Sequence, residues 1–251
     1  MKHGSLVSFF PETRHLGSFP AVFFRGETDP LSWWIALVDL ESLEEDTTTL
    51  SLLSEEEKRL FATYSYPKRR REWLGGRIAA KAALARLLER PPGTPAATEI
   101  SILPNPSGAP GIIGLSGTVP ALSISHSGRY GAALAAAAPT CGIDIQIVSD
   151  KTVRVADRFA SRAEEKLLAG AIPGLSRAWR LTLLWSAKEA VKKTLLAEQP
   201  AFFKGVDLHS VAGDDPLRLA LSSPDGRTVQ VHVTLRDEYA LAWSILGDAH
   251  A

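Results

Sequence analysis

The chain has 251 residues, of which 45% are hydrophobic and 22% are charged, a composition typical of a globular protein with a substantial core. Lysine plus arginine and aspartate plus glutamate number 28 each, so the formal net charge at pH 7 is zero. No overall positive field therefore attracts nucleic acid or an anionic membrane, and any anion must be bound by a local basic cluster. The single cysteine, Cys141, excludes an internal disulfide and fits a reducing compartment.

Neither a secretory signal nor a membrane span is predicted. The first ten residues hold only a short apolar run, and the most apolar stretch, residues 130–138, ends at Pro139. That stretch is too short, because a helix needs about 20 apolar residues to cross a bilayer. We therefore expect a cytoplasmic protein that binds neither membrane nor nucleic acid.

The first half of the chain begins with residues 1–30, where three prolines interrupt any pattern and no secondary structure is predicted. Aromatic and β-branched residues predict a strand over 32–40, and Ser54 with Glu57 forms a capping box that opens a short helix. Apolar residues at steps of three and four predict a long helix over 68–89, which Pro91, Pro92 and Gly93 end. Further strands are predicted over residues 99–103, 121–124, 131–137 and 142–148.

The second half predicts a helix over residues 163–169 and a longer one over 177–197. Short strands come next, over residues 206–211, 217–221, 229–235 and 240–246. Each half therefore offers a long helix and several strands, with a natural boundary near Pro139 and Thr140. No residue-level repeat is visible, so a duplicated architecture rests only on this likeness of the two halves.

A first candidate site is the run Ser123-Ile124-Ser125-His126-Ser127-Gly128, in which a hydroxyl, an imidazole and a glycine lie where a predicted strand ends. A loop of this kind exposes backbone N–H groups, and its side chains can hydrogen-bond a phosphate. The alternative is a polar turn with a satisfied histidine, which is the more common case for such a segment taken alone.

A second candidate is the segment Gly142-Ile143-Asp144-Ile145-Gln146, in which strand alternation places Asp144 and Gln146 on one face. A carboxylate and an amide oxygen two residues apart suit a hard cation such as Mg²⁺. The alternative is the solvent-facing side of a half-buried strand.

A third candidate is the helical segment that contains Trp185, Glu189 and Lys193 at four-residue spacing, so that all three share one face. The alternative is a surface Glu–Lys pair that contributes about 0.3–0.5 kcal/mol, with Trp185 in the core.

In their order along the chain, these segments resemble the motifs of the phosphopantetheinyl transferases. Ser-His-Ser is followed about twenty residues later by Gly-x-Asp-x-Gln, and about forty residues further by Trp-Ser-x-Lys-Glu-Ala-x-x-Lys. Residues 71–77 resemble the family's basic Arg…Gly-Arg helix, residues 105–110 its loop before the first motif, and residues 159–164 the segment whose glutamate falls at Glu164. The chain is most similar to the two-lobed monomeric type that activates peptide and polyketide synthases.

The resemblance implies an α+β fold of two pseudo-symmetric lobes, residues 1–139 and 140–251, each an antiparallel sheet with a long helix. Coenzyme A is then expected in the cleft between the lobes. The implied reaction transfers 4′-phosphopantetheine from coenzyme A to a serine of an apo acyl or peptidyl carrier protein and releases 3′,5′-ADP. It requires Mg²⁺ and serves polyketide or nonribosomal peptide biosynthesis.

The resemblance also implies roles for individual residues. Asp144, Gln146 and Glu189 are expected to hold Mg²⁺ in the lobe of residues 140–251, with Glu189 also the general base. Lys193 is expected to bind the pyrophosphate. The catalytic set is thus Glu189, Lys193, Asp144 and His126. Residues expected to bind coenzyme A are Ser125, His126, Arg71, Arg77, Lys188 and Lys193.

Two positions depart from the family pattern. Gln146 stands where the family usually has Glu, which removes one negative charge from the metal site and predicts a higher Mg²⁺ requirement. Ala109 stands where the family's Gly-Lys-Pro loop puts a lysine on a coenzyme A phosphate. These departures keep open a second hypothesis, a non-catalytic relative that binds coenzyme A or a carrier protein. A third is an unrelated α+β structural protein in which the motifs occur by chance.

Overall fold

A computed structural model describes residues 12–16, 19–28, 31–89, 96–195, 203 and 205–247. The chain divides into two compact units, of which the first ends at Pro139 and the second begins at Thr140. Each unit is an antiparallel sheet that packs against one long helix, so the predicted α+β fold of two similar lobes is confirmed. Within the described ranges, no helix is long and apolar enough to cross a membrane.

Unit 1 contains, in chain order, β1 (Glu12–Leu16), β2 (Phe19–Thr28), β3 (Leu31–Asp39), α1 (Thr47–Leu50), α2 (Glu55–Ala62), α3 (Pro67–Leu87), α4 (Ala96–Glu99), β4 (Ser101–Pro104), β5 (Pro110–Ile113), β6 (Ala121–Ser127) and β7 (Tyr130–Ala136). Its main sheet has the order β1-β2-β3-β7-β6, and β4 pairs with β5 in a separate ribbon. The sequence patterns missed β1 and β2. Pro20 hid the second of these, because proline usually marks a break yet here lies near the start of the strand.

Unit 2 contains, in chain order, β8 (Thr140–Ile147), α5 (Asp150–Arg154), a 3₁₀ turn (Ala156–Arg158), α6 (Arg162–Ala171), α7 (Arg177–Leu195), β9 (Asp207–Ala212), β10 (Leu217–Ser222), β11 (Thr228–Arg236) and β12 (Tyr239–Leu246). The sheet order is β8-β12-β11-β10-β9, with every neighbouring pair antiparallel. All of the predicted strands and helices of this half are present. The predicted end of α7 at Ala197 and the predicted helix stop at Pro91, Pro92 and Gly93 lie outside the described residues.

The helix starts result from local chemistry. Ser54 and Glu57 form the predicted capping box: the Ser54 hydroxyl accepts a bond from the Glu57 N–H, and a Glu57 carboxylate oxygen accepts one from the Ser54 N–H at 2.8 Å. Helix α3 begins at Pro67, a position where the missing backbone donor costs nothing.

Helix α3 approaches its sheet closely because glycines face each other across the contact. A Cβ atom on Gly131 of β7 would lie only 3.0 Å from the carbonyl carbon of Gly75. Fully buried aliphatic and aromatic side chains of the same core pack around this contact, among them Phe23, Leu74 and Ile78. Burial of each such side chain contributes roughly 1.5–3 kcal/mol to stability.

Helix α7 approaches β8 in unit 2 in the same way. A Cβ atom on Gly142 would overlap the Ala190 carbonyl oxygen and the Thr194 hydroxyl, and would lie 2.9 Å from the Thr194 backbone nitrogen. Because side chains alternate along a strand, the face of β8 that carries Gly142 also carries Asp144 and Gln146. This close contact therefore turns those two polar side chains toward α7.

We expect the substitution Gly142→Ala to lower the free energy of unfolding by about 1–3 kcal/mol or more, because the methyl group meets fixed backbone atoms of α7. The matched control is Gly170→Ala in α6, where an added Cβ would meet nothing within 4 Å. The control is expected to leave stability unchanged or to raise it by about 0.5–1 kcal/mol, since alanine favours helix. Urea unfolding of both variants measures the difference, and equal stabilities would contradict the close contact.

Candidate functional site

Strand β8 and helix α7 bring Asp144 and Lys193 into direct contact. The Lys193 ammonium donates to Asp144 Oδ1 at 3.0 Å and to the Ile143 carbonyl oxygen at 2.8 Å. Asp144 is buried, whereas the Lys193 side chain is 28% exposed. A partly exposed lysine side chain therefore lies beside a carboxylate with little solvent access, which is a suitable place for a charged ligand to be bound.

Glu189 belongs to the same cluster of charges. Burial raises the pKa of its carboxyl group, the nearby charge of Asp144 raises it further, and Lys192 and Lys193 partly oppose this. The Lys192 ammonium, one helical turn further along α7, lies 3.9 Å from Glu189 Oε1. A carboxyl group with a raised pKa next to a second carboxylate is typical of functional sites rather than of a solvated surface pair.

The donor atoms at this place suit magnesium. Asp144 and Glu189 supply carboxylate oxygens, and Gln146, two residues along the same face of β8, supplies an amide oxygen. Nowhere in the described ranges do three His, Cys, Asp or Glu side chains gather to hold a metal, so two carboxylates and one amide form the candidate set. Two neighbouring, largely desolvated carboxyl groups are an arrangement that a divalent cation stabilises, and the residues present therefore fit Mg²⁺.

Lys188 lies in the interior of unit 2 and not with these groups. Its ammonium donates to Glu164 Oε1 at 2.7 Å and to the Phe159 carbonyl oxygen at 2.8 Å, and its side chain is 3% exposed. Burial by itself would raise the pKa of Glu164, but hydrogen bonds from Lys188 and from two backbone N–H groups outweigh it and hold the pKa below its usual value. The expectation that Lys188 contacts coenzyme A gains no support from this arrangement.

Unit 1 contains a cavity of about 280 Å³ with several basic side chains. It is lined by Tyr64, Arg69, Glu72, Trp73, Gly76, Arg77, Pro104, Gly108, Pro110, Ile124 and His126. The Arg77 guanidinium is buried and lies 4.8 Å from the centre of the Trp73 ring. Burial lowers its pKa, and the charge of Glu57 partly offsets that effect. Because arginine stays protonated in proteins, the cavity holds a desolvated positive charge that is suited to an anion.

His126 and Ser125 face opposite sides of β6. The sequence predicts a loop at these residues, but the strand continues to Ser127 and adjacent side chains alternate. His126 lines the cavity, with its Nδ1 atom 3.6 Å from Glu72 Oε1, whereas Ser125 is buried and is not part of the lining. The loop interpretation is wrong for this segment, and a contact of Ser125 with coenzyme A stays a prediction.

The loop that carries Ala109 lies at the edge of this cavity. Asn105 fixes the loop, because its Oδ1 atom accepts hydrogen bonds from the N–H groups of Ser107 and Ala109 at 3.0 Å. The loop contributes Gly108 to the lining, so the position where the family carries a lysine is adjacent to the cavity. Arg71 is exposed on α3 outside the lining, and its expected contact with coenzyme A also stays a prediction.

Arg77 and His126 were expected at a ligand site from the sequence, whereas the aromatic residues Tyr64 and Trp73, which line the same cavity, were not. Trp73 and Arg77 are four residues apart on α3, so helical spacing alone could have placed them together. No spacing connects Tyr64 with them, because it precedes the helix, and its ring reaches a position 5.8 Å from the Trp73 ring only through the fold.

The observations define a class before any comparison: an α+β protein of two similar units, with a basic cavity in one and a carboxylate–lysine cluster in the other. Residues 140–244 match the model of the 4′-phosphopantetheinyl transferase superfamily. The chain is also 30% identical over 145 residues to a protein of Synechocystis sp. (strain ATCC 27184 / PCC 6803 / Kazusa) that is provisionally named a 4′-phosphopantetheinyl transferase. That match covers 57% of this chain and 56% of the relative, little more than half of either protein.

Residues 140–244 are thus similar to the 4′-phosphopantetheinyl transferase superfamily, which confirms the resemblance found in the sequence. The matched region contains the whole of the carboxylate–lysine cluster. The similarity to the family therefore lies in the unit that contains Asp144, Glu189 and Lys193.

Proposed function

We propose that this chain transfers the 4′-phosphopantetheine arm of coenzyme A to a serine of an apo acyl or peptidyl carrier protein, with Mg²⁺, and releases 3′,5′-ADP. One observation carries the proposal: Asp144, Glu189 and Lys193 are grouped where β8 meets α7, inside the residues that match the superfamily. This group combines acidic oxygens for a metal with a cation for a phosphate.

The chemistry is a phosphoryl transfer in which positioning and charge neutralisation do most of the work. The serine hydroxyl oxygen of the carrier forms a bond to the β-phosphorus, and the bond from that phosphorus to the bridging oxygen breaks. The serine proton passes to the Glu189 carboxylate. Burial and the charge of Asp144 raise the pKa of Glu189, so its carboxylate is a better proton acceptor than that of an exposed glutamate.

The metal site would use Asp144, Gln146 and Glu189. When bound, Mg²⁺ supplies charge neutralisation at the pyrophosphate oxygens. Lys193 already balances the charge of Asp144 and is partly exposed, so its ammonium can also donate to a pyrophosphate oxygen.

The basic cavity of unit 1 would bind a phosphate of coenzyme A. Arg69, Arg77 and His126 supply donors, and Arg77 is held in place by its contact with Trp73. In this proposal the two arginines make the phosphate contact that the family's lysine makes, because position 109 is alanine in this chain. We further propose that the protein acts as a monomer in the cytoplasm and serves polyketide or nonribosomal peptide biosynthesis.

The direct test incubates the protein with coenzyme A, Mg²⁺ and an apo carrier protein. The carrier is expected to gain the mass of one phosphopantetheine, and a chelator is expected to prevent the gain. If coenzyme A binds but no carrier of either type gains mass, the chain is instead a binding relative, the alternative that Gln146 and Ala109 keep open.

Replacement of Glu189 by Gln is expected to lower the rate of transfer by about 10²–10⁴-fold, because it removes the proposed base and a metal ligand. The matched control is Glu55→Gln in α2, since Glu55 also pairs with a lysine three residues on but is exposed. Both variants should unfold at nearly the same urea concentration as the parent. Mass spectrometry of the carrier measures the rates, and transfer at the parental rate by the Glu189 variant removes this assignment.

Replacement of Gln146 by Glu is expected to lower the Mg²⁺ concentration that gives half-maximal transfer, because a third carboxylate strengthens the binding of a hard cation. Gln230→Glu on an exposed position of β11 adds the same charge away from the site and serves as the control. Rates are compared over a Mg²⁺ titration. An unchanged midpoint in the Gln146 variant would refute a role of this residue at the metal.

Replacement of Arg77 by Met is expected to raise KM for coenzyme A about tenfold or more with kcat little changed, since a charge-assisted hydrogen bond is lost. Methionine fills a similar volume, so its packing against Trp73 is largely kept. Arg59→Met, at an exposed position of α2, is the control for loss of a positive charge. A KM equal to the parental value would exclude Arg77 from coenzyme A binding.

A further inference from the structure

The buried pair Glu164–Lys188 fixes three segments of unit 2 to one another. One oxygen of Glu164 accepts a bond from the Ser161 N–H at the start of α6, and the other accepts one from the Leu208 N–H of β9 at 3.0 Å. Lys188 of α7 donates to the same carboxylate and to the Phe159 carbonyl oxygen. A single carboxylate therefore links α6, α7 and β9.

Unit 1 contains the same arrangement. Glu57 accepts bonds from the Ser54 N–H at the start of α2 and from the Ile102 N–H of β4, both within 2.9 Å. Lys81 of α3 donates to Glu57 at 2.7 Å and to the Ile100 carbonyl oxygen at 2.7 Å. In both units the four side chains of these pairs are at most 7% exposed.

The spacing of the two pairs is identical along the chain. In each unit a serine that caps a short helix precedes the glutamate by three residues, and the lysine comes 24 residues after the glutamate. We call Ser54-Glu57-Lys81 and Ser161-Glu164-Lys188 the two Ser–Glu–Lys motifs. They are the residue-level repeat that the sequence by itself does not reveal, because only three positions in each half carry it.

The two motifs differ at the residue directly after the lysine. In α7 this residue is Glu189, whereas in α3 it is Ala82. Unit 1 therefore has the motif without the carboxylate that our proposed function needs. The motif serves the packing of a long helix in both units, and only in unit 2 does it lie next to a reacting group.

The buried ion pair determines which way α7 faces. A desolvated ammonium group must keep its partners, so Lys188 holds one side of the helix toward Glu164 and Phe159. Successive residues of a helix are rotated by about 100°, and residues four apart share a face. With Lys188 fixed, Glu189 and Lys193 are turned toward β8, where Lys193 meets Asp144 at 3.0 Å.

We infer that Glu164 and Lys188 are positioning residues for Glu189, and that they do not bind coenzyme A themselves. This inference rests on the proposed function for its kinetic consequence, but its structural part stands on the contacts of α7 alone. Loss of the pair leaves the side chains of the site present but allows α7 to rotate or shift relative to β8.

The test removes both charges at once, because a variant that keeps one of them buries an unpaired charge and is prone to unfold. The variant Glu164→Gln/Lys188→Met is compared with its counterpart in unit 1, Glu57→Gln/Lys81→Met, which carries the same pair of changes at the same spacing. We expect the unit 2 variant to lose about tenfold or more in kcat, with KM for coenzyme A within about threefold and a higher Mg²⁺ midpoint. The unit 1 variant should keep kcat; any change there is expected in KM, since Arg77 lies near Glu57.

Two kinetic outcomes overturn the inference. A raised KM for coenzyme A with unchanged kcat in the unit 2 variant would make Lys188 a phosphate ligand. Equal losses of kcat in both variants would reduce the motif to a purely structural role.

A second measurement needs no activity. Hydrogen exchange is expected to be faster in the unit 2 variant at the amides of α7 around Glu189 and Lys193, and a crystal structure should show a longer distance from Lys193 Nζ to Asp144 Oδ1. If the parent protein transfers nothing to any carrier, the proposed function fails while this measurement still decides the positioning role. Unchanged exchange and an unchanged distance overturn it.

Discussion

The close packing of α7 on β8 is the contact on which the site depends. Gly142 leaves no room for a side chain between the strand and the Ala190 carbonyl oxygen. Two residues further along the same face, Asp144 is therefore carried beneath the helix, where it meets Lys193. A larger residue in place of Gly142 would push the helix away and separate the charges that have to act together.

Desolvation and its compensation determine the pKa values of two glutamates of unit 2, Glu164 and Glu189. A carboxylate taken out of water needs compensating partners, and unit 2 compensates its buried acids in two different ways. Glu164 is satisfied by Lys188 and backbone donors, so its pKa lies below the usual value. Glu189 has only incomplete compensation beside Asp144, so its pKa is raised. The first arrangement suits a structural role, and the second suits a group that exchanges a proton or binds a cation.

Repetition of the Ser–Glu–Lys motif shows how one packing solution serves two units with different chemistry. In unit 1 the motif supports the helix that carries Arg77 and Trp73 to the basic cavity. In unit 2 it supports the helix that carries Glu189 and Lys193. Each unit thus combines a fixed long helix with its own set of charged side chains, one basic and one mostly acidic.

Local patterns were sufficient for much of the fold. Period-two and period-3.6 patterns gave most strands and both long helices, and Ser54 with Glu57 gave a helix start, because these features depend on neighbours along the chain. The same patterns failed for β1 and β2, where prolines interrupt the signal, and at His126, where the strand continues past the predicted turn. Strand pairing, not local preference, determines structure at these places.

By itself the sequence determined the order and identity of the motif residues, and with them the resemblance to the family, since Asp144, Glu189 and Lys193 are read directly from their spacing. Only the tertiary structure decided which lysine faces the site. Lys188 and Lys193 have the same chemistry and lie on one helix, but burial against Glu164 takes the first into the interior and leaves the second beside Asp144. That choice depends on which face of α7 meets the sheet, a property of packing between segments distant in the chain.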